Sequence, residues 1–559
     1  MKKRNIGRLL AVLLIVILII GVQSSTIFFK DEFFFDEDIP LGMFISAKEA
    51  GMIPNDENQA KKNGNLFIRA LNKYSGIVID DTYYIGTPSE ELTSRDIEIT
   101  GTENGELISA INASTILFNP EDIDNITIKD TNFTNLNKDR NFLIVYNPAQ
   151  SKNKVENVLI ENCTFQGSIS LYRQFGNTTL NPDNTDYGIE NFEFSNNRVF
   201  DTGLSFIVLD DIPVHYCKVS NNVIRNFNYT FLRIAITNEI PYEQKILRNN
   251  EYLEVDTNTV TCDDDWWGKT ALGSYYTFVL FEGAEVHYNN NHVEGMKTKE
   301  DIALYDAYFG AEIVNYTNNT WKNNICFAAD KRNNTLLKAK GGGLGERPLI
   351  RNYSNNTFVV EEDFAEKLGQ PKENLRVDFI SLQQHTKSYV IDNNIFDVYD
   401  IRFPKSSLMI SNYIFTNNTL KAEKASGKLA IVRLKDEYTT DKIEIVNNSI
   451  KINERTDESF TLVHVVDNRE KSSDIIDSVI INDNRISAPF GYLFYGLNTE
   501  HLEFKNNEIT DVANNNARLA YNGKLINSEV EDNKILNSDS LILYEGNSYA
   551  EIEKKAASH

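Results

Sequence analysis

The sequence predicts an all-β protein that folds as a parallel β-helix of three short sheets, with a small helical cap at its N-terminal end. Three observations predict this fold class. A six-residue motif (apolar, any, Asn, Asn, any, apolar) recurs along most of the chain. Strand-like runs flank its copies, without a helical period between them. The interval between copies is typical of a stacked array.

The motif occurs in fourteen copies, and its second Asn position holds Asn in twelve of them. That position is occupied by Thr131, Cys163, Asn197, Asn222, Asn258, Asn291, Asn319, Asn356, Asn394, Asn418, Asn448, Asn484, Asn507 and Asn533. Successive positions lie 23 to 38 residues apart. One strand-like run precedes each copy, a second follows it, and a third, such as LSFIVL at 204–209, comes before the next copy. Three strands per repeat favour a β-helix over a leucine-rich repeat, which needs a shorter period and a Leu spacing that is missing here.

The Asn pairs have a structural explanation in such a fold. Asn tolerates the left-handed backbone conformation that a sharp bend between two strands requires. Coils stacked about 4.8 Å apart place each Asn over the one before, so the amides can form an internal hydrogen-bonded ladder. Thr131 and Cys163 are the expected interruptions. A ladder explains one Asn per coil better than ligand binding does.

The bulk composition excludes some classes of protein. The chain has 559 residues, 41% apolar composition and a net charge of −24. An acidic surface repels phosphate backbones, so nucleic acid is not expected as a partner. The four cysteines are too few for a disulfide scaffold. No two of them are close enough in sequence to form a metal-binding pair, so they are predicted to be buried free thiols.

The N-terminus predicts export. Lys2, Lys3, Arg4 and Arg8 precede an apolar run at 9–20, which is the layout of a secretory signal. The run is shorter than the roughly 20 residues of a free-standing membrane span. Val22-Gln23-Ser24 offers a cleavage site, but the FFKDEFFF that follows is unusual for a mature N-terminus. A cleaved signal and an uncleaved anchor both remain open. Either predicts an extracellular or cell-surface protein that meets the membrane only through this segment.

The Asn-ladder pattern resembles the pectate lyase-like superfamily, over about residues 40–548. The resemblance implies a single-stranded, right-handed parallel β-helix. The segment at 63–86 reads as a short helix followed by a strand, and it is similar to the cap that covers the open end of many members. The predicted organisation is a signal or anchor at 1–24, a linker and cap at 25–109, and the β-helix at 110–559.

The resemblance does not specify one reaction. Members of this superfamily cleave polysaccharides by elimination on uronic acids or by hydrolysis, and others are phage tailspikes, epimerases or adhesins. Of the hydrolase motifs, this chain has Asn184-Thr185-Asp186 and Asp210-Asp211, but no histidine stands in Gly-His-Gly. Its Arg-x-Lys, Arg433 to Lys435, lies many coils away. No pectate-lyase active-site signature is present.

In this superfamily the ligand groove follows one sheet, which in the present register is the third run of each repeat. Polar residues in or beside these runs are the candidate site. The candidate catalytic residues are Tyr172, Arg173, Asp210, Asp211, Arg233, Asp306, Lys331 and Arg332, with Asp330 beside them, and Glu282 and Tyr305 are candidate substrate-binding residues. Elimination needs a base and a cation that neutralises the substrate carboxylate. Hydrolysis needs two opposed carboxylates. The strip offers both sets, and each residue taken singly also fits an ordinary surface charge.

The loop CDDDWWGK at 262–269 is a further candidate. Trp266 and Trp267 are suited to stack on sugar rings, and Asp263, Asp264 and Asp265 are suited to hold Ca²⁺, the one predicted cofactor. A solvated acidic turn whose tryptophans cover the flank of the helix fits equally well. The Gly-rich segment at 338–347 has no strand-to-helix context and is no phosphate loop.

The sequence therefore predicts an exported enzyme that acts on a polysaccharide, with a lyase acting on a uronic-acid-containing glycan preferred. The overall charge is strongly negative, so the cations Arg173, Arg233, Lys331 and Arg332 along one strip are unexpected and suit binding of a uronate. A glycoside hydrolase on the same scaffold and a non-catalytic cell-surface glycan binder or adhesin are the alternatives. The oligomeric state stays open.

Overall fold

The computed structural model is an array of stacked coils. It describes residues 43–109, 116–118, 123–136, 141–146, 154–175, 188–235, 250–269, 275–299, 302–327, 335–339, 350–372, 375–382, 386–402, 410–425, 430–435, 440–455, 460–466, 475–490, 492–512, 518–521, 524–537 and 542–544. Strands of successive coils pair in parallel. We name the three sheets by their place relative to the Asn turn: sheet A precedes it, sheet B follows it, and sheet C completes the coil.

Sheet A comprises Phe44–Ser46, Gly76–Ile79, Asp96–Gly101, Asn125–Lys129, Lys154–Glu161, Gly188–Ser195, Val214–Ser220, Tyr252–Asp256, the ends of Tyr275–Asn289 and Ala303–Thr317, Ile350–Ser354, Thr386–Asp392, Ile410–Thr416, Lys442–Val446, Ile476–Asn482, Asn498–Lys505 and Lys524–Glu531. Sheet B comprises Thr82–Ile85, Glu106–Ser109, Asn132–Asn135, Thr164–Gln166, Arg198–Thr202, Val223–Phe227, Thr259–Thr261, His292–Glu294, Thr320–Lys322, Thr357–Val359, the start of Ile395–Arg402, Thr419–Ala425, Ser449–Arg455, Arg485–Ala488, Glu508–Asp511, Lys534–Asn537 and the antiparallel Ile542–Tyr544.

Sheet C comprises Ile116–Phe118, Asn141–Tyr146, Ile169–Phe175, Ile207–Asp210, Thr230–Ala235, the starts of Tyr275–Asn289 and Ala303–Thr317, Thr335–Ala339, Arg376–Leu382 and the end of Ile395–Arg402. It continues as a separate sheet of Ala430–Lys435, Thr461–Val466, Tyr492–Tyr495 and Arg518–Tyr521. Lys297–Thr298 and Ile325–Cys326 form a further two-stranded sheet. The predicted fold class, an all-β parallel β-helix, is confirmed.

The Asn ladder is confirmed as an internal feature. The backbone N–H of Asn356 donates to Oδ1 of Asn394 at 2.9 Å, and that of Asn394 donates to Oδ1 of Asn418 at 2.9 Å. Each Nδ2 also donates to a sheet A carbonyl of the preceding coil, as Asn394 does to Tyr353 O at 2.8 Å. The same pattern runs from Asn197 to Asn533, and its members are at most 3% exposed. Cys163 and Thr131 end it, because their side chains bond to carbonyls of their own or the preceding coil instead.

The two residues of each pair have different roles. The first one has the left-handed backbone conformation, with φ between 53° and 59° at all fourteen copies. The second one extends its amide into the ladder. Asn suits the first position because it tolerates positive φ, and the second because an amide is both donor and acceptor.

Replacing Asn356 or Asn394 by Leu is expected to lower the free energy of unfolding by about 1–3 kcal/mol, because the bonded backbone groups stay buried without partners. Urea unfolding followed by circular dichroism would measure this change. Asn355→Asp at the neighbouring exposed turn position is the matched control, since Asp also tolerates the left-handed conformation. Wild-type stability in both Leu variants would contradict a stabilising ladder.

The α-helix of the cap begins earlier in the chain than predicted. A 3₁₀ turn at Glu57–Gln59 leads into the helix Ala60–Lys73, whose apolar face is buried against the core. Asp96–Gly101 and Glu106–Ser109 already pair with strands of the next coil. Paired coil strands thus already lie before residue 110, within the segment assigned to the linker and cap. A second short helix, Phe364–Lys367, follows a sheet B strand.

The core is a continuous column of apolar side chains between the three sheets. Parallel pairing places like residues over each other, and aromatic rings stack from coil to coil. Tyr288 lies over Tyr316 with ring centroids 4.8 Å apart, and Phe358 lies over Phe396 at 5.0 Å. All four cysteines are free and buried, as predicted. Burial raises the pKa of the Cys163 thiol to about 12.

The predicted signal or anchor at 1–24 lies outside the described residues. Within the described part of the chain, no helix is both long enough and apolar enough to cross a membrane.

Candidate functional site

The candidate site lies on the outer face of sheet C, where four neighbouring strands bring charged residues together. Arg173, Val208, Arg233 and Leu280 are register partners in turn. Leu280 contacts Ala235 in a cluster separate from the main core, whereas the alternate residues Ile234 and Phe281 belong to the core. This row therefore faces outward.

A second outward row contains two carboxylates. Asp210 pairs with Ala235, and Glu282 stands on the next strand, directly after Phe281, the partner of Ile234. Two strand spacings place the Asp210 and Glu282 backbones about 10 Å apart. The side chain of Ala235 between them is short. Although both carboxylates face outward, Asp210 is only 8% exposed and Glu282 only 4%.

Asp210 and Arg233 form the central ion pair. Arg233 Nε donates to both Asp210 oxygens, at 2.8 Å to Oδ1 and 3.0 Å to Oδ2. The side chain of Arg233 is 31% exposed and that of Asp210 is 11% exposed. The pair is thus shielded on the acidic side and open to solvent on the basic side.

The pKa of Asp210 is raised above the ordinary range of an aspartate. Burial is the largest cause, and the negative charges of Asp211 and Glu282 act in the same direction. The guanidinium of Arg233 opposes this shift without cancelling it. A carboxyl whose pKa is raised by burial beside other carboxylates is a known arrangement for proton transfer.

Two residues that were not among the candidates hold Glu282 in place. A Cβ at Gly310 would lie 3.0 Å from Glu282 Cγ, so the glycine leaves room for the glutamate to lie across the next strand. Asn250 is fully buried, and its Nδ2 donates to Glu282 O at 2.7 Å. Asn250 belongs to an Asn249-Asn250 pair that precedes a strand and lies outside the repeat motif. This second kind of Asn pair is the sequence signal that could have identified Asn250.

Arg173 and Asp211 complete the cluster. Arg173 is half-buried on the strand before Asp210, so Asp210 lies between the strands of two arginines. Asp211 follows Asp210 with a left-handed backbone, φ 59°, and is 6% exposed. Its N–H donates to Ala235 O at 2.9 Å, which closes the end of the strand.

Tyr172 does not belong to the site, and its predicted role as a catalytic residue needs correction. Its side chain is fully buried in the core, where its ring packs edge-on against Phe192 with centroids 5.5 Å apart. Its hydroxyl donates to Gln174 Oε1 at 3.0 Å. Strand alternation sends Arg173 outward and its neighbour Tyr172 inward.

Several candidates cannot be placed relative to this cluster. Tyr305 and Asp306 belong to the strand Ala303–Thr317, but their side chains lie outside what the structure describes. Asp330, Lys331 and Arg332 lie outside the described residues, as do Asn184-Thr185-Asp186 and most of the Gly-rich segment. Their predicted roles stay predictions.

The tryptophan loop lies at the opposite edge of sheet C from the carboxylates. Trp266 Nε1 donates to Phe227 O at 2.8 Å, and Lys269 N donates to Asn228 Oδ1 at 3.0 Å. Both acceptors stand where sheet B turns into sheet C. From Tyr275 to Glu282 the strand extends about 23 Å. The loop is therefore not beside the ion pair, and only a ligand that crosses the full width of the sheet could contact both.

The three aspartates of this loop are not gathered around a common point. Asp263 accepts from Arg225 Nε at 2.9 Å and from Asn226 Nδ2 at 2.8 Å, while Asp264 and Asp265 are exposed. In the described portion of the chain, no three His, Cys, Asp or Glu side chains are grouped so that they could hold a metal ion. Calcium binding stays a prediction without support from the grouping of these side chains.

Lys297 is bonded to the tryptophan loop from the protein interior. Its side chain is fully buried, and Nζ donates to Asp263 O at 2.5 Å. Burial lowers the pKa of Lys297. Lys299 Nζ lies 3.8 Å from the centroid of the half-buried Trp267 ring, so a cation already covers part of that indole.

Comparison of the chain with protein-family models, with curated proteins and with solved structures finds no match. The reaction therefore has to be inferred from the residues of sheet C.

Proposed function

We propose that this protein is an exported polysaccharide-acting enzyme whose reaction centre is the sheet C cluster of Asp210, Asp211, Arg233 and Glu282. One observation carries the proposal: the pKa of Asp210 is raised, in a shielded cluster that contains two further carboxylates. Such pairs, with one carboxyl protonated and one ionised, perform acid–base cleavage of glycosidic bonds.

Within this class the geometry favours hydrolysis. Protonated Asp210 donates its proton to the oxygen of the leaving sugar, and Glu282 accepts a proton from the attacking water. Arg233, which is already bonded to Asp210, stabilises the carboxylate that the transfer creates. The backbones of Asp210 and Glu282 lie two strand spacings, about 10 Å, apart. The anomer released by the wild type would distinguish inversion from retention of the anomeric centre.

Elimination on a uronic-acid-containing glycan is the second candidate. Arg173 and Arg233 on the same outward row could neutralise a uronate. Its weakness is the base, because Tyr172 is buried in the core and Arg233 is already bonded to Asp210. For hydrolysis, by contrast, Asp210 and Glu282 supply both the acid and the base.

The products distinguish the two reactions. Incubation with a panel of neutral and uronic-acid-containing polysaccharides is expected to release new reducing ends without the ultraviolet absorbance of unsaturated uronates. Unsaturated products would establish elimination instead. If no glycan of the panel is cleaved but at least one binds in a pull-down assay, the protein is the non-catalytic glycan binder.

A further inference from the structure

The outer face of sheet A carries a pocket at the cap end of the helix, far along the surface from the sheet C cluster. Its volume is 520 Å³, which is within the usual range of small-ligand sites. Its main lining residues are Lys73, Tyr74, Asp96, Glu98, Asn125 and Thr127. Nothing in the chemistry of sheet C requires this pocket.

The pocket is built where the cap helix meets the first coils. Lys73 ends that helix and Tyr74 follows it, with the Lys73 ammonium 5.2 Å from the Tyr74 ring centroid. Asp96 and Glu98 stand on the next strand, in register with Asn125 and Thr127. Gly76 permits this close packing, since a Cβ there would lie 2.9 Å from Glu98 O.

The lining selects a neutral, hydroxyl-rich ligand. Two carboxylates against one ammonium disfavour phosphates and uronates. An apolar ligand would strip water from these carboxylates without replacing its hydrogen bonds. Among the described residues, no hydrogen-bond donor contacts the Glu98 carboxylate, and the Asp96 carboxylate accepts one hydrogen bond, from Asn125 Nδ2 at 2.8 Å. A carboxylate accepts about four hydrogen bonds, so both offer acceptors to hydroxyl groups.

A row of amides leads away from the pocket along the helix axis. Asn157 Nδ2 donates to Asn125 Oδ1 at 2.8 Å, and Asn191 Nδ2 donates to Asn157 Oδ1 at 3.1 Å. The next residue of the row is Tyr216, whose ring stacks on Tyr252 with centroids 5.4 Å apart. With coils about 4.8 Å apart, the row forms a polar track that a linear polyol chain could follow.

We propose that this pocket binds the end of a neutral glycan chain, which continues along the amides of Asn125, Asn157 and Asn191. The site is separate from sheet C and holds glycan without cleaving it. Glu98 and Asp96 accept hydrogen bonds from sugar hydroxyls, and the amides contact the next sugars.

Calorimetric titration of the full chain with cellohexaose, maltohexaose and mannohexaose tests the proposal. At least one of them is expected to bind. Glu98→Gln removes a charged acceptor, and Thr127→Trp fills the pocket from an outward position. Each is expected to weaken binding at least about tenfold, the effect of one charge-assisted hydrogen bond. Glu444→Gln is the matched control, because Glu444 occupies the same outward row of sheet A many coils away. It should leave binding unchanged.

Asp210→Asn separates this site from the reaction centre. Neutral oligosaccharide binding is expected to persist in that variant, whether or not the wild type cleaves any glycan. Three results would overturn the proposal: no binding of any of the three hexasaccharides, unchanged binding in both pocket variants, or loss of binding in Asp210→Asn. Circular dichroism of each variant confirms that the coils remain folded.

Discussion

Asp210→Asn is expected to reduce glycan hydrolysis by about 10²–10⁴-fold, the contribution of a positioned general acid. The amide keeps the size of the side chain and can still bond to neighbouring groups, but it has no proton of suitable acidity to transfer. The measurement is kcat/KM from reducing-end release on the glycan that the wild type cleaves. Asp397→Asn is the matched control, because Asp397 is also bonded to a cation, Lys421 at 3.1 Å, but lies exposed on sheet B.

The pH profile gives an independent test of the same role. Because the pKa of Asp210 is raised, the protonated acid persists to a higher pH than for an ordinary aspartate. Activity is expected to fall as the pH rises through that raised pKa. Asp211→Asn removes one of the charges that raise it, so the falling limb should move to lower pH. A limb that stays in place in Asp211→Asn, or full activity of Asp210→Asn, would show that Asp210 is not the acid.

Arg233→Ala is expected to lower the free energy of unfolding by about 3 kcal/mol, because it leaves a shielded carboxylate without its partner. The estimate is at the lower end of the usual range because the Arg233 side chain is 31% exposed. Urea unfolding of wild type, Arg233→Ala, Asp210→Asn and the double variant forms a double-mutant cycle. The double variant should recover part of the loss, since the unpaired charge is then absent.

The loss in Arg233→Ala should depend on pH in a defined direction. Asp210 has a folded pKa above that of an unfolded aspartate, about 3.9. Its contribution to stability is therefore fully present below that value and is lost as the pH rises through the folded pKa. Removing Arg233 raises the folded pKa further, since its guanidinium is the group that lowers it. The destabilisation should thus be largest at neutral pH and shrink in acid. Equal destabilisation at both pH values would assign the effect to packing rather than to charge.

The fold could be predicted because its signal is local and repeated. Each Asn pair encodes its own bend: the first residue adopts the left-handed conformation and the second donates and accepts within the ladder. Fourteen copies then specify the same stacking many times over. The first coil strands, Asp96–Gly101 and Glu106–Ser109, precede the first copy of the motif, so the sequence carried no Asn signal for their pairing.

The candidate site was predicted only in part. Placing Arg173, Asp210, Arg233 and Glu282 on neighbouring coils required only the order of the repeats, and the register confirms their adjacency. Tyr172 was misassigned because the residue at which a strand begins decides which of its side chains face inward. A shift of one residue exchanges the inner and outer faces.

The sequence by itself determined the stacked coils, the turn that each Asn pair makes and the set of charges carried by successive strands. Only the tertiary structure decided which of those charges are shielded. The pKa of Asp210 depends on Asp211, Arg233 and Glu282, and Glu282 is 72 residues away in the chain. The tertiary structure also decided that the tryptophan loop lies at the far edge of sheet C. Burial and electrostatic interaction depend on distances between side chains in space, and such distances are set only when the coils are stacked in register.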